Sequence, residues 1–200
     1  MNERYTIYVP GEVLPKIKVA NPWVYLSKEG YRALVTGVYD KENEIFIPLK
    51  SPYIPCPDDY VIGVVEEERP NDYVINIFSP YLAFKKKNKF ELNPFEIVYG
   101  RISFVTEVKT AIMEEIKILR GGNIVSISPS KISRVIGKKG SMLTLLKEKT
   151  NCEIIVGKNG IIWIKGDERN VNRATLAILK IEKEAHIPGL TTRIENLLSE

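Results

Sequence analysis

The residues with the clearest chemical capacity are the four that read Gly137-Lys138-Lys139-Gly140. They separate two short helix-like patterns, so several backbone N–H groups at the start of the second helix are expected to lack partners. Glycine has no Cβ, which lets a sugar–phosphate backbone approach closely. The free amides and the helix dipole favour an anion, and the lysines add charge-assisted contacts. The loop therefore predicts a site for a nucleic-acid backbone; taken alone, it is also compatible with a plain helix–helix turn.

Positive charge is concentrated around this loop. The whole chain has a formal net charge of +4, but residues 120–166 contain nine basic and two acidic residues, a net charge of +7. Residues 58–119 contain eight basic and eleven acidic residues, a net charge of −3. A basic patch inside a folded module is typical of a protein with a phosphate-rich partner. A solvated lysine face is the plainer alternative.

Residues that commonly carry catalysis or bind metals are scarce. The single histidine, His186, falls at the end of a helical pattern, and Cys56 and Cys152 are isolated in the sequence. This spacing does not support a paired-ligand zinc site or a histidine-based nucleophilic triad. The nucleotide motifs GxxxxGK[ST] and GxGxxG are absent. We therefore expect no catalytic residue, no metal site and no cofactor, and a reducing cellular interior.

No apolar run approaches the roughly 18 residues that a membrane helix needs, so no membrane partner is expected.

Residues 121–200 predict the element order β-α-α-β-β-α. A strand at 123–127 precedes two short helices, the first with apolar residues at Ile132, Val135 and Ile136 and the second from Ser141. Two strands follow, and Asp167 then caps a longer helix. Thr192 and Glu195 have the spacing of a capping box, which predicts a short tail helix that packs on its own domain.

This order around a glycine-flanked loop is typical of a type I KH domain, whose GXXG loop clamps about four nucleotides of a single strand. An apolar groove for the bases would lie between the first helix and the strand 154–156, with cationic side chains reaching the phosphates. The predicted RNA-binding residues are Arg134, Val135, Ile136, Gly137, Lys138, Lys139, Gly140, Ile155 and Lys158.

Two strand-rich segments precede the KH pattern. Residues 1–57 predict a small β meander with strands at 23–27, 31–39 and 44–47, bounded by four prolines from Pro48 onward. Residues 58–120 predict about five strands, the count of a small OB-type barrel.

The second segment also holds a cationic and aromatic set that is a candidate for stacking with RNA. The lysine run 85–89 is predicted to lie in a loop between strands. Tyr73, Phe78, Tyr81 and Phe84 are its aromatic neighbours, although aromatic residues in a small barrel more often belong to the core.

Several short pieces of the sequence occur together in one protein family. They include Val9–Glu12, Ile47–Leu49 and Ser79–Tyr81, and the most specific piece runs from Arg120 through the glycine loop to Met142. The pieces Ile154–Gly157 and Ile162–Gly166 follow in the same order. With these residues the chain resembles the RNA-binding cap subunits of the archaeal exosome over nearly its whole length.

The resemblance implies a multidomain α+β protein. Its parts would be a small N-terminal β domain at 1–57, an OB-type five-stranded S1 barrel at 58–120, and a type I KH domain with a tail helix at 121–200. Three copies would sit on a ring of RNase PH-like subunits in the cytoplasm. The ring would hold the chemistry, and the cap would catch single-stranded RNA 3′ ends and pass them in for 3′–5′ degradation.

Two alternatives remain open at this point. A KH/S1 RNA-binding factor in translation or transcription would share the same physical features. A metal-dependent nuclease would need a cluster of acids such as Asp58, Asp59 and Glu66–Glu68. The S1 segment departs most from the family pattern, with Asp58-Asp59-Tyr60 at its start and a poor match between Tyr81 and Glu115, so the resemblance implies no RNA-contact residue there.

Overall fold

The chain divides into two units, Met1–Ser51 and Pro52–Glu200. The computed structural model describes residues 4–18, 23–49, 52–88 and 91–199, so the prediction for Lys89 falls outside the described residues. Residues 52–57 belong to the second unit, because Tyr53 is buried in the core of the barrel that follows. The division falls between Pro48 and Pro52 of the proline-rich stretch.

The first unit contains a three-stranded antiparallel sheet and a separate hairpin. Its strands are β1 (Tyr5–Tyr8), β2 (Val24–Ser27), β3 (Gly30–Ala33), β4 (Gly37–Asp40) and β5 (Ile45–Pro48). The sheet order is β1-β4-β5, and β2 pairs with β3. The prediction of one strand over 31–39 was wrong, because β3 and β4 belong to different sheets, and β1 was not predicted. Pro48 ends the edge strand β5, where a missing N–H breaks no ladder.

The two faces of the β1-β4-β5 sheet differ in exposure. Tyr39 and Phe46 are buried in the core of this unit. The register aligns Ile7 with Val38 and Val38 with Ile47, so these three side chains share the other face. Ile7 and Ile47 are exposed on that face. The first unit thus presents an uncovered apolar sheet surface.

One ion pair fixes the end of β4. Arg4 donates from Nε to Asp40 Oδ1 at 3.1 Å and from Nη2 to Oδ2 at 2.8 Å. These hydrogen bonds from Arg4 hold the pKa of the Asp40 carboxyl well below its usual range, and hydrogen bonds from Asn43 add to the effect. Asp40 can therefore remain buried at the sheet end as a carboxylate.

A closed five-stranded barrel opens the second unit. Its strands are β6 (Tyr60–Glu68), β7 (Asp72–Asn76), β8 (Ala83–Lys86), β9 (Ile97–Val105) and β10 (Ala111–Leu119), in the order β10-β8-β7-β6-β9. The OB-type barrel prediction is confirmed. Lys85 and Lys86 lie in β8 and not in a loop, because β8 pairs with β7 on one side and with β10 on the other, and that ladder closes the barrel.

The KH order β-α-α-β-β-α is also confirmed. The elements are β11 (Asn123–Ser126), α1 (Ile132–Ile136), α2 (Ser141–Thr150), β12 (Glu153–Val156), β13 (Ile161–Lys165), α3 (Glu168–Glu184) and a tail helix α4 (Leu190–Ser199). The strands form a sheet in the order β11-β13-β12. Asp167 caps α3, since its carboxylate accepts a 3.2 Å hydrogen bond from the Arg169 N–H.

The tail helix packs on its own domain, as predicted, although its start was misplaced. It begins at Leu190 and not at a Thr192 cap. Ile194 and Leu198 are buried in the core that α1, α2 and α3 share. These two residues hold α4 against the other helices of the domain.

Both faces of the central strand β13 are covered. Ile162 and Ile164 point into the core on the helix side. Ile161 and Trp163, which alternate with them, pack against Ile62 and Leu119 of the barrel. A continuous apolar run is typical of a strand that is buried on both faces. The barrel and the helices thus enclose the KH sheet from opposite sides.

The turn between β12 and β13 is attached to the barrel by Asn159, which is 3% exposed. Its Nδ2 donates to the carbonyl oxygens of Ile62 at 2.7 Å and Ile77 at 2.8 Å, and its Oδ1 accepts from the Ile62 N–H at 3.3 Å. The neighbouring Lys158 N–H donates to the Tyr60 carbonyl at 2.8 Å. One side chain therefore satisfies three backbone groups of the barrel.

None of the described helices is both long and apolar enough to cross a membrane.

We predict that Asn159→Ala lowers the free energy of unfolding by about 2–4 kcal/mol, because buried polar groups of Ile62 and Ile77 lose their partner. Urea denaturation followed by circular dichroism measures this. Asn123→Ala, at an exposed strand position, serves as the control. A loss at Asn159 no greater than that of the control would contradict the role of this junction.

Candidate nucleic-acid interface

The two glycines of the loop have different structural roles. Gly137 ends α1 at φ +76°, and a Cβ there would lie 2.6 Å from the Met142 backbone nitrogen. Gly140 has φ +82°, and a Cβ there would have no atom within 4 Å. Gly137 is therefore needed for packing of the loop on α2, whereas Gly140 leaves open space at the loop surface.

Some backbone N–H groups in and after the loop already donate hydrogen bonds within the protein. The Gly140 N–H donates to the Gly137 carbonyl at 3.2 Å, and the Ser141 N–H donates to the Lys138 carbonyl, which forms a short 3₁₀ turn over Lys138–Gly140. Within the described residues no hydrogen bond engages the N–H of Lys138 or Lys139. The expectation of free amides thus holds for these two residues and not for Gly140 and Ser141, because the 3₁₀ turn precedes the helix.

The cations of the site are exposed and unpaired. Arg134, Lys138 and Lys139 are exposed. No ion pair within the described part of the chain involves them. Lys139 also has a left-handed backbone at φ +54°, which is uncommon for a residue with a Cβ. The charges are therefore available to an external anion.

The two apolar residues predicted on α1 are not equally accessible. Val135 is fully buried and belongs to the helix-side core, so its side chain does not line an open groove. Ile136 is half-buried and packs at the edge of that core. Val135 and Ile136 lie on the apolar face of α1, as their spacing from Ile132 predicts. At Val135 that face points into the core.

The side chains of strand β12 alternate between the barrel and the helices. Its Ile155 side chain packs at the junction with the barrel, not on the helix side. Ile154 and Val156 face the helices. The Gly157 N–H donates a hydrogen bond to the Ile161 carbonyl. In an antiparallel pair, alternate residues bond to the partner strand, so the Ile155 backbone also bonds to β13. The backbone N–H and C=O groups of Ile154 and Val156 therefore point away from β13, toward the free edge of the sheet.

Lys158 lies at the attachment of the β12–β13 turn to the barrel. Its side chain is exposed, but its backbone N–H is engaged by Tyr60. It is not among the residues around the cavity beside the glycine loop. The structure therefore brings together Arg134 and the loop, and places Lys158 apart at the junction.

A cavity of about 250 Å³ lies beside the loop, on the side of the tail helix. Its polar lining is Ser133, Arg134, Lys138, Ser141 and Thr191, and Gly137, Met142 and Leu190 complete the wall. The sequence did not predict the hydroxyl residues of this set. No local pattern could have found them, because Thr191 reaches the loop only through the packing of α4 on the core.

The acidic residues that a nuclease would need are dispersed among separate partners. Asp58 pairs with Arg101 at 3.1 Å, and Asp59 accepts a 2.7 Å hydrogen bond from the Tyr53 hydroxyl. Burial, together with that bond, raises the pKa of the Tyr53 phenol above its ordinary value. Among the described residues no group of three or more histidine, cysteine or acidic side chains is arranged to hold a metal ion.

Several of the cationic and aromatic residues predicted as a stacking face of the barrel are buried or already paired with other residues of the protein. Tyr73 is buried in the barrel core. The Arg69 guanidinium carbon lies over the Phe84 ring, 5.5 Å from the ring centroid. The Lys87 ammonium forms an ion pair with Glu68. Phe78 remains 46% exposed. The acidic residues of this segment thus occupy some of the cations that a stacking face would use.

Comparisons with known proteins agree with this architecture. A family model described as "KH domain" matches residues 122–170, which include the glycine loop. A solved crystal structure described as a putative exosome complex RNA-binding protein has a TM-score of 0.67 and 30% identity, and the match covers 74% of this chain and 96% of that one.

Curated relatives match nearly the whole sequence. The exosome complex component Rrp4 of Methanobrevibacter smithii is 36% identical over 98% of this chain and 72% of its own length. Rrp4 of Pyrococcus horikoshii is 39% identical over 86% of this chain and 74% of its own length. With an OB-type barrel, a KH domain and identity of more than 30% over most of its length, the chain belongs to the Rrp4 family of exosome complex components.

Proposed function

We propose that this protein is the non-catalytic RNA-binding subunit of a cytoplasmic exosome, where three copies cap an RNase PH-like ring and deliver single-stranded RNA 3′ ends to it. The observation that carries the proposal is the glycine loop. It presents two unengaged amides and unpaired cations beside an open glycine, in a chain of the Rrp4 family.

The RNA backbone would lie against the loop, with phosphate oxygens accepting from the Lys138 and Lys139 amides. Gly140 supports this arrangement, because the space above it is empty. Arg134 and the two lysine side chains would neutralise neighbouring phosphates. Three such contacts would give a slope of about −2 in log K against log salt, at about −0.7 per contact for a single strand.

The bases would lie between α1 and the free edge of β12. Ile136 and Val156 are half-buried apolar side chains of these two elements that pack on the helix side of the sheet. The outward-pointing backbone groups of Ile154 and Val156 would hydrogen-bond base edges in the way that a neighbouring strand would. Reading through the backbone explains how a short strand with no polar side chain facing the helices can still contact bases.

The first unit supplies a candidate docking surface for the ring. Ile7 is 65% exposed and Ile47 is 47% exposed on the uncovered face of the β1-β4-β5 sheet. Tyr5 and Ile45 extend the same face. Exposed apolar patches on a folded protein commonly mark interaction sites, and such a patch on a domain remote in sequence from the RNA loop suits an assembly role.

We predict that Gly140→Asp weakens binding of a single-stranded RNA by about tenfold or more. The new carboxylate would occupy the open space and repel a phosphate, and a lost charge-assisted contact costs about that factor. Fluorescence anisotropy with a labelled oligonucleotide measures the change. Gly11→Asp adds the same charge at another positive-φ glycine with open space around it and should bind like the parent. Equal affinity for Gly140→Asp and the parent would refute the assigned site.

Thermal unfolding supplies the folding control for this experiment. Gly140→Asp should remain folded and lose only the roughly 1–2 kcal/mol that a left-handed backbone costs a residue with a Cβ. Gly137→Ala should lose more, because its methyl group meets the Met142 backbone. The opposite order would show that the two glycines have been assigned the wrong roles.

We predict that RNA incubated with the protein and Mg²⁺ or Mn²⁺ stays intact, since the acids of the barrel face separate partners. Gel analysis of a 3′-labelled RNA tests this. Cleavage that co-purifies with the protein and disappears in an Asp59→Ala variant would contradict a non-catalytic role.

We predict that the protein co-elutes with RNase PH-like ring subunits at a mass that corresponds to three copies per ring. Light scattering during size-exclusion chromatography measures it. Ile7→Asp should weaken this assembly, whereas Leu176→Asp, at a 60% exposed position on α3, should not. Separate peaks for the parent protein and the ring would contradict the assembly role.

A further inference from the structure

The cavity on the tail-helix side of the loop is strongly cationic. Arg134 and Lys138 line it, and no acidic residue does. Both side chains are exposed, and neither forms an ion pair within the described residues. A cavity with two unpaired cations and no carboxylate favours an anionic occupant.

Hydroxyl groups complete the polar lining. Ser133, Ser141 and Thr191 contribute one hydroxyl each. In the described part of the chain, no other side chain or backbone group bonds to these hydroxyls. Together with the guanidinium and the ammonium, they offer donors from three helices and the loop. An occupant with several acceptor oxygens would satisfy this set.

The helix ends around the cavity add to its positive potential. α2 begins at Ser141 and α4 at Leu190, and both helices have ten residues. Neither helix has an acidic residue in its first turn. The positive ends of their dipoles are therefore not neutralised by the helices' own side chains.

The size and composition of the cavity restrict the occupant further. A volume of about 250 Å³ holds roughly eight water molecules at about 30 Å³ each, which is room for a phosphate group with part of its sugar. The lining contains no aromatic residue on which a base could stack. The chemistry matches a phosphate better than a nucleobase.

The wall that α4 provides is held in place before any ligand binds. Arg193 donates to Glu184 at 2.7 Å and to the carbonyl oxygens of Ile187 and Pro188, which fixes the turn ahead of α4. Ile194 anchors the helix in the core. Because this wall is already ordered, ligand binding does not include the entropic cost of ordering it.

We propose that this cavity binds a second backbone phosphate of the RNA, so that the strand passes around the glycine loop and contacts the tail helix as well as the groove side. The inference rests on the proposed function, because the ligand is the same single-stranded RNA. It extends the site to Ser133, Ser141 and Thr191, and it makes α4 part of the RNA-binding surface.

The test combines RNA binding by matched variants with a phosphate titration. Thr191→Val keeps the side-chain shape and removes the hydroxyl, and Thr192→Val is its control at the next, exposed position. Arg134→Gln removes the cation, and Arg169→Gln, on α3 and outside the cavity, is its control. Two-dimensional amide NMR of the parent protein, first with inorganic phosphate and then with RNA, shows which residues respond.

We expect Thr191→Val to weaken RNA binding by about tenfold or more, because a hydrogen bond to a phosphate anion is charge-assisted. Arg134→Gln should weaken it further and reduce the salt slope by about 0.7. Thr192→Val and Arg169→Gln should match the parent. Inorganic phosphate should shift the amides of Ser133, Ser141 and Thr191, and RNA should shift the same signals.

Two results would overturn the inference. The first would leave the proposed function standing, and the second would refute it as well. If RNA binds in a manner sensitive to Gly140→Asp, but Thr191→Val equals the parent and RNA leaves the Thr191 amide unmoved, the second phosphate site is wrong and the proposed function stands. If phosphate shifts these amides but the parent binds no RNA, the cavity takes free phosphate only, and both the inference and the proposed function fail.

Discussion

The central strand of the KH sheet, β13, is apolar on both faces, and both faces must be covered. Alternate residues of β13 go to opposite sides, Ile162 and Ile164 to the helices and Ile161 and Trp163 to the barrel. Without the barrel, the second face would be exposed to water at a cost of about 1.5–3 kcal/mol for each large side chain. The KH domain is therefore attached to the barrel by the same hydrophobic requirement that forms its core, and Asn159 sets the position of that attachment. The free edge of β12 and the glycine loop take no part in this attachment.

The loop combines two constraints that act at different residues. Packing requires the first glycine, because the backbone of α2 occupies the position of its Cβ. The second glycine has a left-handed backbone and open space in the position of a Cβ, which leaves room for a ligand. Between them, two lysines hold their side chains in solvent while their amides lack partners. The left-handed backbone at Gly140 would favour glycine in a plain helix–helix turn as well, so the open space above it is the feature that bears on ligand access.

Much of this architecture could be predicted from the sequence, because periodicity reports local burial. The i, i+3, i+4 spacing found α1 and α2, and the Asp167 cap found the start of α3. The predictions failed where long-range pairing decides the outcome. β8 forms because its neighbours in the barrel pair with it, despite the lysines it contains. β3 and β4 separate because β4 pairs with β1 from the start of the chain.

The structure places the predicted site residues in different environments. The loop residues and Arg134 lie together, because they are adjacent in sequence. Val135 and Ile155 have side chains that face the core and the barrel, and strict strand alternation could have excluded Ile155 in favour of its neighbours Ile154 and Val156. Thr191 could not have been found, because no local signal records the packing of a tail helix against a loop about fifty residues earlier in the chain.

The central claim is that RNA phosphates bind the unengaged amides of the loop. Amide NMR of the intact protein during titration with a short single-stranded RNA tests it most directly. The account predicts that the Lys138 and Lys139 signals move downfield and saturate with the binding curve, and that the movement decreases as salt is raised. Saturable RNA binding that leaves these two signals in place, with the changes confined to the barrel or to the first unit, would contradict it.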